Sequence, residues 1–129
     1  MTMPDERTRS LRGGFEFLGE MLADETIEAS LRATAQRLRL TYPRPDQILE
    51  WIQTDAPGLP QAAAEALMEA SELWTRLQFS HQGTQETRHA LRFVQRHFQE
   101  PWLSQLFGNA SREGLRGWLL PEEPEEEED

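Results

Sequence analysis

The chain has 129 residues, 37% hydrophobic and 28% charged, with a formal net charge of −10 at pH 7 and no Cys. That length fits one domain with a modest core, and the lack of Cys excludes a disulfide framework and a thiol nucleophile while fitting a reducing cytoplasm. No run approaches the 18 apolar residues of a membrane span, the N-terminus lacks the apolar run of a signal peptide, and no basic excess supports direct nucleic-acid binding.

Apolar residues recur at helical spacing along most of the chain. The first predicted helix covers residues 2–22, with Thr2 and Asp5 as a cap pattern and Pro4 in the first turn. Leu11, Phe15, Leu18 and Leu22 line one face. Gly13 and Gly14 weaken this helix, so the backbone either bends there or meets a close neighbour. "ADETIEASLRATAQRLRL" predicts a second helix with Ile27, Leu31, Ala35 and Leu38 inward. "TYPRP" stops it, because the residue before each proline avoids the helical region.

Pro45 opens a short third helix carrying Ile48, Trp51 and Ile52, and "DAPGLP" breaks the chain again. "QAAAEALMEASELWTRLQF" is the strongest helical segment. Ala63, Leu67, Ala70, Trp74 and Leu77 line its apolar face, and Glu65, Glu69 and Glu72 the opposite one. "SHQGT" interrupts, and a fifth helix runs from Gln85 to Gln99 with Leu91, Val94 and Phe98 inward. Two short helical turns follow, "PWLSQLF" and "SREGLRGWLL", the second capped by Ser111. No segment alternates with period two for long enough to predict a strand. The expected architecture is all-α: a single-domain bundle of about five to seven short helices over 1–120 and a disordered acidic tail over 121–129.

The charge is unevenly placed. The tail holds Glu122, Glu123, Glu125, Glu126, Glu127, Glu128 and Asp129, whereas residues 1–121 carry 16 acids against 13 Arg, a net of −3. Every basic residue is Arg, and Lys is absent. Together with the Ala, Leu and Glu content, this reads as the codon bias of a GC-rich bacterial genome. Pro121 and Pro124 discourage a continuing helix, and like charges repel, so the tail is expected to serve solubility and long-range steering.

"MTMPDERTRSLRGGFEFLGEML", followed by "LRATAQRLRLTYPRPDQI", resembles a family of small uncharacterised proteobacterial proteins. The match rests on Pro4, Glu6, Arg7, Thr8, Arg9, Phe17, Leu18, Tyr42 and Pro43, within roughly the first 50 residues. It departs at Gly13 and Gly14. The resemblance implies a bacterial origin and carries no activity, cofactor or site residues.

Candidate sites follow from charge placement. Arg7 and Arg9 sit at the start of the first helix, where positive charge opposes the macrodipole and calls for acidic partners. Those partners lie on a neighbouring helix or on another molecule. Arg88, Arg92 and Arg96, spaced by four, form a stripe that can hold carboxylates or phosphates. Pairing with the Glu face of the fourth helix or with the tail is the plainer expectation. These five Arg and the tail residues Glu122, Glu123 and Glu125 to Glu128 are the candidate partner-binding residues.

Chemistry finds little support. His89 and His97 would lie about 12 Å apart along a helix and cannot share an ion. Glu86 and His89 form a single Glu-x-x-His, where a di-iron bundle needs two with two further Glu. Gly14 and Gly19 mimic a phosphate loop, but Glu20 occupies the Lys position. "TAQRLRLTYPRPDQILEWI" fails as a helix-turn-helix because Asp46 and Glu50 would meet the DNA. No catalytic residue, cofactor or metal is therefore expected. The expected function is a non-enzymatic, cytoplasmic bacterial helical module that binds another protein, of the inhibitor, adaptor, antitoxin or immunity type, with self-association open. The alternative is an acidic nucleic-acid mimic, of mobile-element origin, that blocks a nucleic-acid-binding enzyme.

Overall fold

A computed structural model describes residues 4–55 and 59–97. Helices follow in the order α1 (Pro4–Ala23), α2 (Ala29–Thr41), α3 (Pro45–Thr54), α4 (Gln61–Ser80) and α5 (Gln85–His97). No strand occurs among the described residues, and the all-α class stands. The expected short helices after residue 100, the tail from Pro121 and the inward Phe98 lie outside the described residues, so the expected total of five to seven reaches beyond them.

The four longest helices form a closed ring: α1 packs on α2, α2 on α4, α4 on α5 and α5 back on α1. α3 leans on α1 from outside this ring. The buried side chains make one continuous cluster drawn from every helix. Its largest member is Trp74 of α4, 1% exposed, which meets Phe17 of α1 edge-on with ring centroids 5.2 Å apart. Such an aromatic pair contributes about 1 kcal/mol beyond the burial of its area.

α4 shows the clearest link from pattern to packing. Ala63, Leu67, Ala70, Trp74 and Leu77 are all buried, and Ala66 and Leu73 widen the same face. The small Ala residues let a neighbouring helix approach, and Leu and Trp fill the centre. Glu65, Glu69 and Glu72 face solvent. Glu69 reaches Arg37 of α2 at 3.5 Å, an exposed pair of little energetic weight.

α1 corrects the sequence reading in detail. Its buried large apolar residues are Leu11, Phe17, Leu18 and Met21, while Phe15 and Leu22 are only half-buried at the rim of the core. A helix flanked by α2, α5 and α3 presents a face wider than one four-residue stripe. Phe15 instead lies under the Arg39 guanidinium, 4.5 Å from its ring centroid, and beside Tyr42. α1 runs through Gly13 and Gly14 as continuous helix. A Cβ added at Gly13 would meet open space, so no close approach explains that glycine.

Residues 24–28 also depart from expectation, because they form a turn ahead of α2. The Asp24 carboxylate accepts from the Thr26 backbone N–H at 3.0 Å and from the Thr26 hydroxyl at 2.6 Å. A side chain that hydrogen-bonds the backbone two residues on competes with helix and favours a turn. Ile27 remains buried at the end of this turn.

The break after α2 is anchored from inside. Tyr42 is buried, and its hydroxyl donates to the Leu11 carbonyl at 2.7 Å. Burial holds its phenol well above the usual range. Pro45 then opens α3, where Gln47 accepts from the Arg44 N–H at 2.9 Å and Arg44 pairs with Asp46 at 3.2 Å. Ile48 and Ile52 are buried, and Trp51 is half-buried against the core.

Candidate functional site

The sequence offered an Arg stripe on the fifth helix, and the structure fixes how that helix is presented. Gly83, at φ +104°, turns the chain from α4 towards α5, in a region that L side chains rarely adopt. Thr84 then caps α5: its hydroxyl accepts from the Thr87 N–H at 3.1 Å, and its carbonyl accepts from the Arg88 N–H at 2.9 Å.

Two polar ties bind this start to the α1–α2 turn. Asp24, only 7% exposed, accepts from the Thr84 N–H at 3.0 Å and from the Thr87 hydroxyl at 2.5 Å. With the two bonds from Thr26, one buried carboxylate takes four. Burial alone would raise its pKa, but these four bonds reverse that and hold it well below the usual carboxylate range. Nearby, the Glu28 N–H donates to Gln82 Oε1 at 2.7 Å, and Gln82 Nε2 donates back to Glu28 Oε2 at 2.9 Å. Further along, the Ser10 hydroxyl of α1 donates to the Val94 carbonyl at 3.3 Å.

Arg88 does not face outward with its stripe. Its guanidinium donates to the carbonyls of Gln82 at 2.7 Å and Gln78 at 3.3 Å. It therefore satisfies carbonyls at the C-terminal end of α4, where a cation suits the macrodipole. The expectation of a carboxylate partner is replaced at Arg88 by backbone oxygens. Arg92 and Arg96 remain exposed, and Arg96 also engages a partner within its own chain.

Together with His89, Phe93 and Gln95, Arg92 and Arg96 surround a shallow hollow of about 430 Å³. Phe93 is 49% exposed there. Glu86, His89, Phe93 and Arg96 are spaced three, four and three, a single stripe opposite the buried Leu91 and Val94. Sequence reasoning missed Phe93 as a surface residue, although its place one residue before the inward Val94 was a usable signal.

A larger groove of about 1030 Å³ adjoins this face and shares His89 and Arg92 with it. It runs between the end of α1 and the start of α5, and Glu20, Glu25 and Glu86 bring carboxylates to it. Partial burial, with Glu16 and Glu86 as like-charged neighbours, raises the Glu20 carboxyl above its ordinary value. The sequence had placed the acidity at the tail; the folded body concentrates a second acidic zone here.

The remaining candidates are not gathered at this site. Arg7 and Arg9 stand on the first turns of α1, Arg7 half-buried and Arg9 exposed, and both engage partners within the chain. Desolvation lowers the Arg7 guanidinium from its usual value. Glu122, Glu123 and Glu125 to Glu128 lie outside the described residues. Among the described residues, no group of His, Asp and Glu is placed to hold a metal ion, and no helix is long and apolar enough to cross a membrane.

Comparison with protein-family models, with curated proteins and with solved structures finds no match to this chain.

Proposed function

We propose that the protein is a non-enzymatic bacterial binding module of the inhibitor or adaptor kind, acting in the cytoplasm, and that it engages another protein through the outward face of α5. One observation carries this reading: Phe93, 49% exposed, stands among His89, Arg92 and Arg96 on a helix anchored from behind. Aromatic residues, Phe among them, and Arg are enriched at protein interfaces relative to the rest of the surface. A face held by Asp24, Thr84 and Thr87 keeps its shape before a partner arrives, which lowers the ordering cost of binding.

The test is site-specific photocrosslinking. A photoreactive phenylalanine at position 93 is expected to give one discrete adduct in extracts of the native host. The same group at the exposed Thr75 on α4 is expected to give none. Equal adduct patterns at both positions, or none at 93, would reject the assignment of the face.

The acidic groove favours a second reading, in which carboxylates imitate phosphates and block a nucleic-acid-binding enzyme. Glu20, Glu25 and Glu86 supply that charge from the folded body, in addition to the tail. A complex of this kind loses affinity steeply as salt rises, because exposed charges are screened. A complex seated on Phe93 changes less.

A further inference from the structure

The basic face and the acidic groove lie side by side, and their charges run in opposite directions along α5. Glu86, with Glu20 and Glu25 beside it, marks the N-terminal end, whereas Arg92 and Arg96 occupy the C-terminal half. We propose that the partner of this face is a second copy of the same chain, bound with the two α5 helices antiparallel about a two-fold axis that crosses the outward stripe at the level of Leu91, between His89 and Phe93. The proposal rests on the docking face described above and places a second copy there in place of a different protein.

The register follows from the positions. Glu86 lies five residues before Leu91 and Arg96 five after; His89 lies two before and Phe93 two after. An antiparallel pair centred on Leu91 therefore sets each Glu86 against Arg96 of the second copy, and each His89 against Phe93 of the second copy. A two-fold interface makes every contact twice, so the seam carries two acid–Arg pairs and two His–Phe contacts. The three-four-three spacing keeps all four positions on one stripe, as a short antiparallel helix pair requires.

Orientation is decided by charge. Parallel α5 helices would bring Glu86 onto Glu86 and Arg96 onto Arg96. The antiparallel pair brings the Arg-bearing half of one copy to the groove end of the other, where Glu20 sits among like charges. Opposed helix dipoles favour the same orientation. Arg96 already makes an interaction within its own chain, and a guanidinium with five donors can accept a further carboxylate partner. Stable interfaces bury roughly 800 Å² per partner, more than a 13-residue helix face offers alone. The association is accordingly weak and sensitive to salt.

Sedimentation equilibrium of the full chain tests this directly. Wild type is expected to move from monomer to twice the monomer mass as concentration rises at low salt, and to dissociate as salt is raised. Glu86→Arg and Arg96→Glu are each expected to weaken the dimer about tenfold or more, because like charges then face each other. The double variant restores the attraction with reversed polarity and is expected to recover dimerisation. Phe93→Ser weakens it without altering charge, and circular dichroism of each variant confirms that the helices persist. A wild-type chain that stays monomeric at every concentration overturns the dimer, as does a double variant that remains as weak as the singles. A monomeric chain that still crosslinks one different protein through position 93 overturns only the dimer and leaves the docking face standing.

Discussion

Thr87 donates its hydroxyl to the Asp24 carboxylate at 2.5 Å, joining the start of α5 to the turn that ends α1 across 63 residues of chain. Hydrogen bonds to a buried charge contribute about 1.5–3 kcal/mol each, and losing one partner leaves the other unsatisfied. Asp24→Ala is expected to destabilise the protein by about 3 kcal/mol, measured by chemical denaturation. Thr87→Val, which removes one donor, is expected to lose about half of that.

The same carboxylate sets a pH dependence. Its folded pKa is depressed, so its contribution is fully present above the unfolded value near 4 and is lost as pH falls through the acid range towards the folded pKa. Wild type is expected to lose stability steeply below about pH 4. Asp24→Asn should flatten that part of the curve. An unchanged slope in the variant would show that other carboxylates carry the acid response.

Glu20 has the opposite sign. Its carboxyl is raised, so its charge opposes folding above the carboxylate range, and that opposition vanishes once the group is protonated. Glu20→Gln is expected to raise the melting temperature at pH 7, with the gain fading at acid pH. A loss at pH 7 would mean that Glu20 makes a favourable contact outweighing its repulsion with Glu16 and Glu86.

The Trp74 and Phe17 pair governs the centre of the core. Trp74→Ala is expected to cost about 4 kcal/mol, since the ring is 1% exposed and the four-helix ring cannot collapse freely around it. Trp51 is only half-buried, so Trp51→Ala should cost distinctly less by the same measurement.

Two glycines should respond in opposite ways. Gly13 sits inside α1 with open space where a Cβ would go, so Gly13→Ala is expected to stabilise by about 1 kcal/mol. Gly83 has φ +104°, and an added Cβ would stand 3.3 Å from Thr87 Cγ2, so Gly83→Ala is expected to destabilise by about 1 kcal/mol or more. Thermal denaturation of the two variants side by side checks both signs.

The helical class, the breaks at "TYPRP" and "DAPGLP" and most inward positions of α2, α4 and α5 were legible in the sequence. Periodicity and proline chemistry are local properties, and each stripe is written within one segment. What lay beyond the sequence involved residues distant in the chain. Nothing local says that Asp24 meets Thr84 and Thr87, that Arg88 turns back onto the carbonyls of Gln78 and Gln82, or that Phe17 outranks Phe15 in the core. Those outcomes were decided when α1 packed between α2 and α5, because packing determines which part of a helix is buried. The same step brought Glu20 beside Glu86 and left Phe93 outward among His89, Arg92 and Arg96. A stripe of charges is legible along a chain, but its neighbours across a groove exist only once the helices have closed.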